Sequence, residues 1–214
     1  MFSDIKNWYR GQLINTVIDA LRKNGFSAHY AEDKERAKDL VLSLIPPNSS
    51  VGIGGSVTIR ELQLPQILRE RGFKVIEHWI KGLSREESWR VRREEIMADV
   101  FLSSVNAITL DGKLIAIDGA GNRVAALAFG PKKVIVVVGI NKIVRNVEEG
   151  LWRSRNIAAL MNAKRLGLST PCVKEGICRK CSYPTSICRI TLILEARPSF
   201  TDFHVVLVGE QLGF

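Results

Sequence analysis

Cys172, Cys178, Cys181 and Cys188 are all the cysteines of this 214-residue chain, and they fall within one stretch, CVKEGICRKCSYPTSIC. The central C-x-x-C brings two thiolates within reach of one metal in a single tight turn. Gly176 loosens the backbone before it and Pro184 stiffens the loop after it. Lys174, Arg179, Lys180 and Arg189 favour thiolates and offset the charge of a tetrathiolate. The spacing is neither that of a common zinc finger nor that of a ferredoxin. The readings are a metal or cluster site, redox-active or free structural thiols, or a disulfide staple, the last disfavoured if the chain is cytoplasmic. All-cysteine ligation suits [4Fe–4S] and Zn²⁺ alike.

Two glycine turns offer a different chemistry. In VGIGGSVTIREL, a strand runs into Gly52, Gly54 and Gly55, with Ser56 and Thr58 at the start of the next helix. In IDGAGNRVAALAFG, Asp118 closes a strand, Gly119 and Gly121 turn, and Asn122 and Arg123 open a helix. Helix starts present free N–H groups to an anion, and glycine lets the backbone approach it. Asp118 is a candidate acid or base, and equally a cap for its own turn. In SSVNAIT, Ser104 and Asn106 share one face of an extended chain and can point into the same crevice. Neither glycine turn carries a full G-x-G-x-x-G spacing or a P-loop lysine. His29, His78 and His204 lie in strand-like segments and read as packed or surface histidines.

The elements that must hold these residues alternate. Helical periodicity covers Ile5–Asn24, ending before Gly25, and EDKERAKDLVLSLI, ending at Pro46–Pro47. LPQILRERG, SREESWRVRREEIMA, GAGNRVAALAFG and VRNVEEGLWRSRNIAALMNAKRLG also read as helices. FSAHYA, SSVGIGG, FKVIEH, KKVIVVVGI, RITLILEA and FHVVLVGE read as strands. DVFLSSVNAITLDGKLIAID is the richest β segment, and its Asp111–Gly112 pair signals a hairpin. This alternation predicts a layered α/β domain with a largely parallel sheet. Strands resume after the cysteines, so residues 1–214 read as one domain with a cysteine-rich insertion at 170–189. Ligands of such sheets gather at the carboxyl ends of the strands, where both glycine turns lie.

Composition narrows the class. Lys and Arg outnumber Asp and Glu by 31 to 22, which suits an anionic ligand. The charges alternate in sign, as on a solvated helix, and no RNA-binding signature with interleaved aromatics is present, which argues against nucleic acid. The apolar runs fall far short of the ~20 residues that span a bilayer. Charge near the start of the chain does not fit a signal peptide, so a cytoplasmic protein without a membrane span is expected.

VGIGGSVTIREL, SSVNAITLDGKLIAIDGAGNRVAALAFGPKKVIVVVGINKIV and VVLVGEQLGF together resemble the LUD domain. This lactate-utilization family includes lactate-utilization protein C and was formerly a domain of unknown function. The resemblance covers nearly the whole chain and is most specific from Ser104 to Val144. It implies a three-layer fold like that of the ribose-5-phosphate isomerase, glucosamine-6-phosphate deaminase and CoA-transferase group. It also implies an anion-binding role for Gly52, Gly54, Gly55, Ser56 and Thr58, with Gly119, Gly121 and Asn122 as a second loop. CoA-transferases of this fold use a glutamate nucleophile, and SSVNAIT has no carboxylate at the comparable strand end, so acyl-CoA chemistry does not carry over. The family is linked to oxidation of L-lactate to pyruvate beside proteins that carry iron–sulfur clusters, and this tips the cysteines toward [4Fe–4S].

The leading expectation is an accessory or electron-transfer component of organic-acid oxidation, with a small anionic ligand, redox partner proteins and the capacity to form a homo-oligomer. The alternatives are an independent enzyme on a sugar-phosphate or acyl substrate, and a regulatory module braced by Zn²⁺.

Overall fold

The computed structural model describes residues 2–214. Helix α1 (Phe2–Lys23) leads into strand β1 (Ser27–Ala31), α2 (Lys34–Leu44) and β2 (Ser50–Ile53). Two short helices, α3 (Val57–Glu61) and α4 (Leu64–Glu70), precede β3 (Lys74–Glu77), and α5 (Arg85–Ile96) precedes β4 (Val100–Ser103). Strands β5 (Ala107–Thr109) and β6 (Leu114–Asp118) flank the Asp111–Gly112 turn. Next come α6 (Asn122–Ala128), β7 (Lys133–Gly139) and the short β8 (Ile143–Val144). Helices α7 (Val147–Arg153), α8 (Ala159–Arg165) and α9 (Pro171–Glu175), then β9 (Ile190–Leu194) and β10 (Asp202–Val208), complete the chain. Local chemistry sets several of these limits. Asp33 caps α2 by accepting from the Arg36 N–H at 2.8 Å, and Ser84 and Glu87 form a reciprocal capping box on α5.

The α/β expectation holds. The main sheet has the order β1-β10-β7-β4-β2-β3, and every pairing in it is parallel. Its central strands are apolar on both faces, as a sheet covered on both sides requires. Along β7, Val134, Val136 and Val138 enter one core with α1 residues Ile14, Val17 and Leu21. Ile135 and Val137 enter the opposite core with Val41, Ile59 and Leu68 from the helices of the other face.

The Asp111–Gly112 hairpin lies outside the main sheet. β5 and β6 pair antiparallel as a hairpin and join β8 and β9 in a second sheet of order β8-β5-β6-β9. The chain leaves the main sheet at Ser103 and re-pairs from Ala107. One face of this second sheet supplies Ile108, Leu114, Ala116 and Leu194 to the α1 core, and the other packs Ala107 and Ile115 beneath α7 residues Val147 and Leu151.

The segment expected as one long helix also differs. Between α7 and α8 lies a π-helical turn, Ser154–Ala158. The Ser154 hydroxyl donates to the Gly150 carbonyl at 2.6 Å, a bond that competes with the helical ladder.

Candidate functional site

Parallel strands deliver their following loops to one edge of the sheet. Here a cleft of about 410 Å³ opens at the carboxyl ends of β2, β4 and β7, between the two sheets. Each loop has a structural reason to be there. Gly52 lets α5 close on β2, because a Cβ would overlap the Glu95 carbonyl oxygen. Ser56 then caps α3, its Oγ accepting from the Ile59 N–H at 3.3 Å. Gly121 takes φ +96° at the start of α6, a conformation that side-chain-bearing residues avoid.

The structure brings most of the sequence candidates together. Gly55, Ser56, Thr58, Ser104, Asn106, Asp118, Gly119, Asn122 and Arg123 all line the cleft. Gly52, Gly54 and Gly121 do not: the first packs on α5, the second beside the Phe101 ring, and the third beside Ile190. Asp118 serves its own turn. Its carboxylate accepts from the Arg123 N–H at 3.1 Å and from Arg123 Nε at 3.2 Å. Arg123 also donates to Asn106 Oδ1 at 3.0 Å and to the Ile117 carbonyl at 2.7 Å, which locks its guanidinium against the second sheet.

Several lining residues had no signal in the sequence reading. Lys142 follows β7 in a single 3₁₀ turn, and its Nζ donates to Thr58 Oγ1 and Ser104 Oγ, both at 2.9 Å. It thus ties three strand ends to one amine. Burial first, then the guanidiniums of Arg153 and Arg123, lower its pKa from the ordinary 10.5 to about 7. Arg92 also lines the cleft, and among the described residues its buried Nη1 has no hydrogen-bond partner. Trp79 lines the cleft, and the guanidiniums of Arg60 and Arg165 stand 4.4 and 4.3 Å from its ring centre. His78 Nδ1 is 2.6 Å from Glu95 Oε1, and Glu95 Oε2 accepts from Asn122 at 3.1 Å. This corrects the reading of α5 as a wholly solvated charged helix. Glu95 is fully buried because His78 and Asn122 satisfy it. His78 is packed, as expected, yet it also faces the cleft. His29 and His204 pair with each other across β1 and β10 at 3.0 Å, away from this site.

The four cysteines surround a second cavity of about 380 Å³, with Arg155, Arg179 and Lys180 on its wall. None is in a disulfide. Cys172 Sγ lies 3.1 Å from Thr170 Oγ1, the Cys178 N–H donates to Asn156 Oδ1 at 3.0 Å, and the Lys180 N–H points at Cys178 Sγ at 3.5 Å. Burial, then the neighbouring Cys178, Cys181 and Cys172, push the Cys188 thiol up to about 11. Among the described residues no group of three His, Cys, Asp or Glu side chains is arranged around a single metal ion. The thiols line a space rather than converge on a point. The two cavities adjoin: Ala159, Ile187 and Cys188 line both.

The LUD domain model matches residues 14–208. A crystal structure of a DUF162 family protein from Deinococcus radiodurans is similar in fold, with a TM-score of 0.54 and 18% sequence identity. The likeness covers 93% of this chain and 97% of that one. No curated protein matches the chain. Among the described residues, no helix is long and apolar enough to cross a membrane. The chain belongs to the LUD-domain family and is, at that level, a lactate-utilization-type protein.

Proposed function

We propose that this LUD-domain protein is an electron-transfer component of organic-acid oxidation, L-lactate being the first candidate. It would bind a small carboxylate or phosphate-bearing anion in the strand-end cleft and pass electrons through a [4Fe–4S] cluster held by Cys172, Cys178, Cys181 and Cys188. The observation that carries this reading is the shared wall of Ala159, Ile187 and Cys188 between the cleft and the cysteine cavity.

The lining of the cysteine cavity supports this group. Four thiols face one cavity, and Arg155, Arg179 and Lys180 offset the negative charge of a thiolate-ligated cluster. Without a metal, burial and then the neighbouring thiols disfavour the thiolate at Cys188. Bound iron would remove that conflict by holding them deprotonated. A cavity of about 380 Å³ lined by four cysteines has room for a multi-atom cluster, whereas one Zn²⁺ would draw its ligands to ~2.3 Å from a point. The N–H groups of Cys178 and Lys180, fixed at Asn156 and Cys178 Sγ, orient the loop as hydrogen bonds around cluster ligands do.

The cleft fits an anion. Lys142, Arg92, Arg123 and Arg165 line it, against Asp118 as the acidic side chain on its wall. Arg92 Nη1 lacks a partner that an anion's oxygen would supply.

The test is electron paramagnetic resonance of anaerobically purified, dithionite-reduced protein, titrated with lactate, pyruvate or phosphate, with binding followed by calorimetry. An anion that binds and shifts the cluster signal supports the coupled sites. Binding without any shift refutes the electron path, and no binding by any of the three refutes the anion cleft.

A further inference from the structure

Lys142 is set differently from a lysine that only clamps an anion. Its side chain is 2% exposed, yet it forms part of the cleft wall. Its Nζ donates to two neutral hydroxyls, Thr58 Oγ1 and Ser104 Oγ, and among the described residues no carboxylate takes the third position. The charged groups that bear on it are Arg153 from α7 and Arg123 from α6, both repelling, with Glu61 from α3 attracting. Buried amines beside other cations lose their proton readily and become nucleophiles toward carbonyl carbon. Arg92 lines the same cleft, and among the described residues its buried Nη1 has no hydrogen-bond partner, which leaves its guanidinium to anchor a carboxylate.

We propose that Lys142 captures the carbonyl carbon of a 2-oxo acid as a Schiff base, with the acid's carboxylate held by Arg92. The inference rests on the reading of the cleft as an anion site. The neutral amine forms a C–N bond while the carbonyl π pair moves to oxygen, and one of the amine's protons passes from nitrogen to that oxygen. The carbinolamine then loses that oxygen as water, with one proton leaving nitrogen, and an imine remains. A solvent proton converts it to the iminium, and hydrolysis reverses every step. No oxidant or reductant enters. The hydroxyls of Thr58 and Ser104 stand at hydrogen-bond distance to relay the protons.

The experiment is reductive trapping. Full-length protein purified without oxygen is incubated at pH 7 with pyruvate or glyoxylate and cyanoborohydride, then analysed by intact mass and peptide mapping. The expected result is one dominant adduct, on Lys142, forming at least ~10-fold faster than on any exposed lysine, whose neutral fraction at pH 7 is below about one in a thousand. Arg92→Met should slow it by roughly tenfold or more through loss of the carboxylate anchor, and Lys142→Arg should remove it. Labelling spread over exposed lysines, with none at Lys142, overturns the proposal and needs no variant to fold. Calorimetry without reductant separates the two claims. Pyruvate that binds but is never trapped refutes the Schiff base alone, and pyruvate that does not bind refutes the cleft reading for this ligand with it.

Discussion

Lys142→Met tests the buried amine through stability rather than ligand. The fall from 10.5 to about 7 makes the folded protein a poorer proton acceptor than the unfolded chain. The unfolded state therefore binds more protons between about pH 7 and 10.5, and stability must rise with pH across that window. At ~1.4 kcal/mol per pH unit, burying this lysine costs roughly 4 kcal/mol at pH 7 and about 2 kcal/mol at pH 9, and the cost nears its ceiling below pH 7. Methionine has similar bulk and no charge, so the variant escapes this cost. It also strands the hydroxyls of Thr58 and Ser104, a penalty of about 1–3 kcal/mol that does not titrate. The expected outcome is a variant more stable than the parent at pH 7, with the difference shrinking by about 2 kcal/mol by pH 9. Denaturant unfolding of both proteins at pH 6, 7, 8 and 9 reads this directly, since other titrating groups cancel in the difference. A difference that stays flat from pH 6 to 9 would refute the claim that Lys142 is held near neutrality.

Other substitutions probe separate parts of the account. Arg92→Met should weaken anion binding about 10- to 100-fold by removing one charge-assisted hydrogen bond, and unchanged affinity in calorimetry would take Arg92 out of the site. Gly52→Ala forces a methyl into the Glu95 carbonyl, and overpacking against backbone should cost about 1–3 kcal/mol or more; parent-like denaturation would contradict the close seat of α5 on β2. Asn156→Ala deprives the Cys178 N–H of its acceptor, so the visible absorption should bleach faster in air. An unchanged bleaching rate would show that the π-turn does not brace the cysteine loop.

Much of this site was legible where chemistry and strand order coincide. Ser56, Thr58, Asp118 and Arg123 sit beside glycine turns at strand ends, and parallel strands carry such turns to one edge. Ser104 and Asn106 followed from alternation, although Asn106 turned out to brace Arg123. Lys142 was missed because one lysine after an apolar strand has no pattern. The only signal was its place, three residues beyond Gly139 at the carboxyl end of a buried strand. Arg92 and Glu95 were hidden by their helix, whose alternating charges look solvated until His78 and Asn122 close over the carboxylate. Trp79, Arg60 and Arg165 are far apart in sequence and meet only in the fold. The hairpin was legible in Asp111–Gly112, but the separate sheet it belongs to was not. Sheet membership depends on where the chain breaks after Ser103, and hydrophobic alternation does not encode that. The four cysteines were legible as a cluster, whereas their cavity's shared wall with the cleft required the fold.

Iron and acid-labile sulfide analysis of protein purified without oxygen, with a visible spectrum, tests the central claim most directly. The account predicts brown protein with iron and sulfide in equal amounts, about four of each per chain, lost on Cys178→Ser. Colourless protein carrying zinc, or protein with no metal, would contradict it.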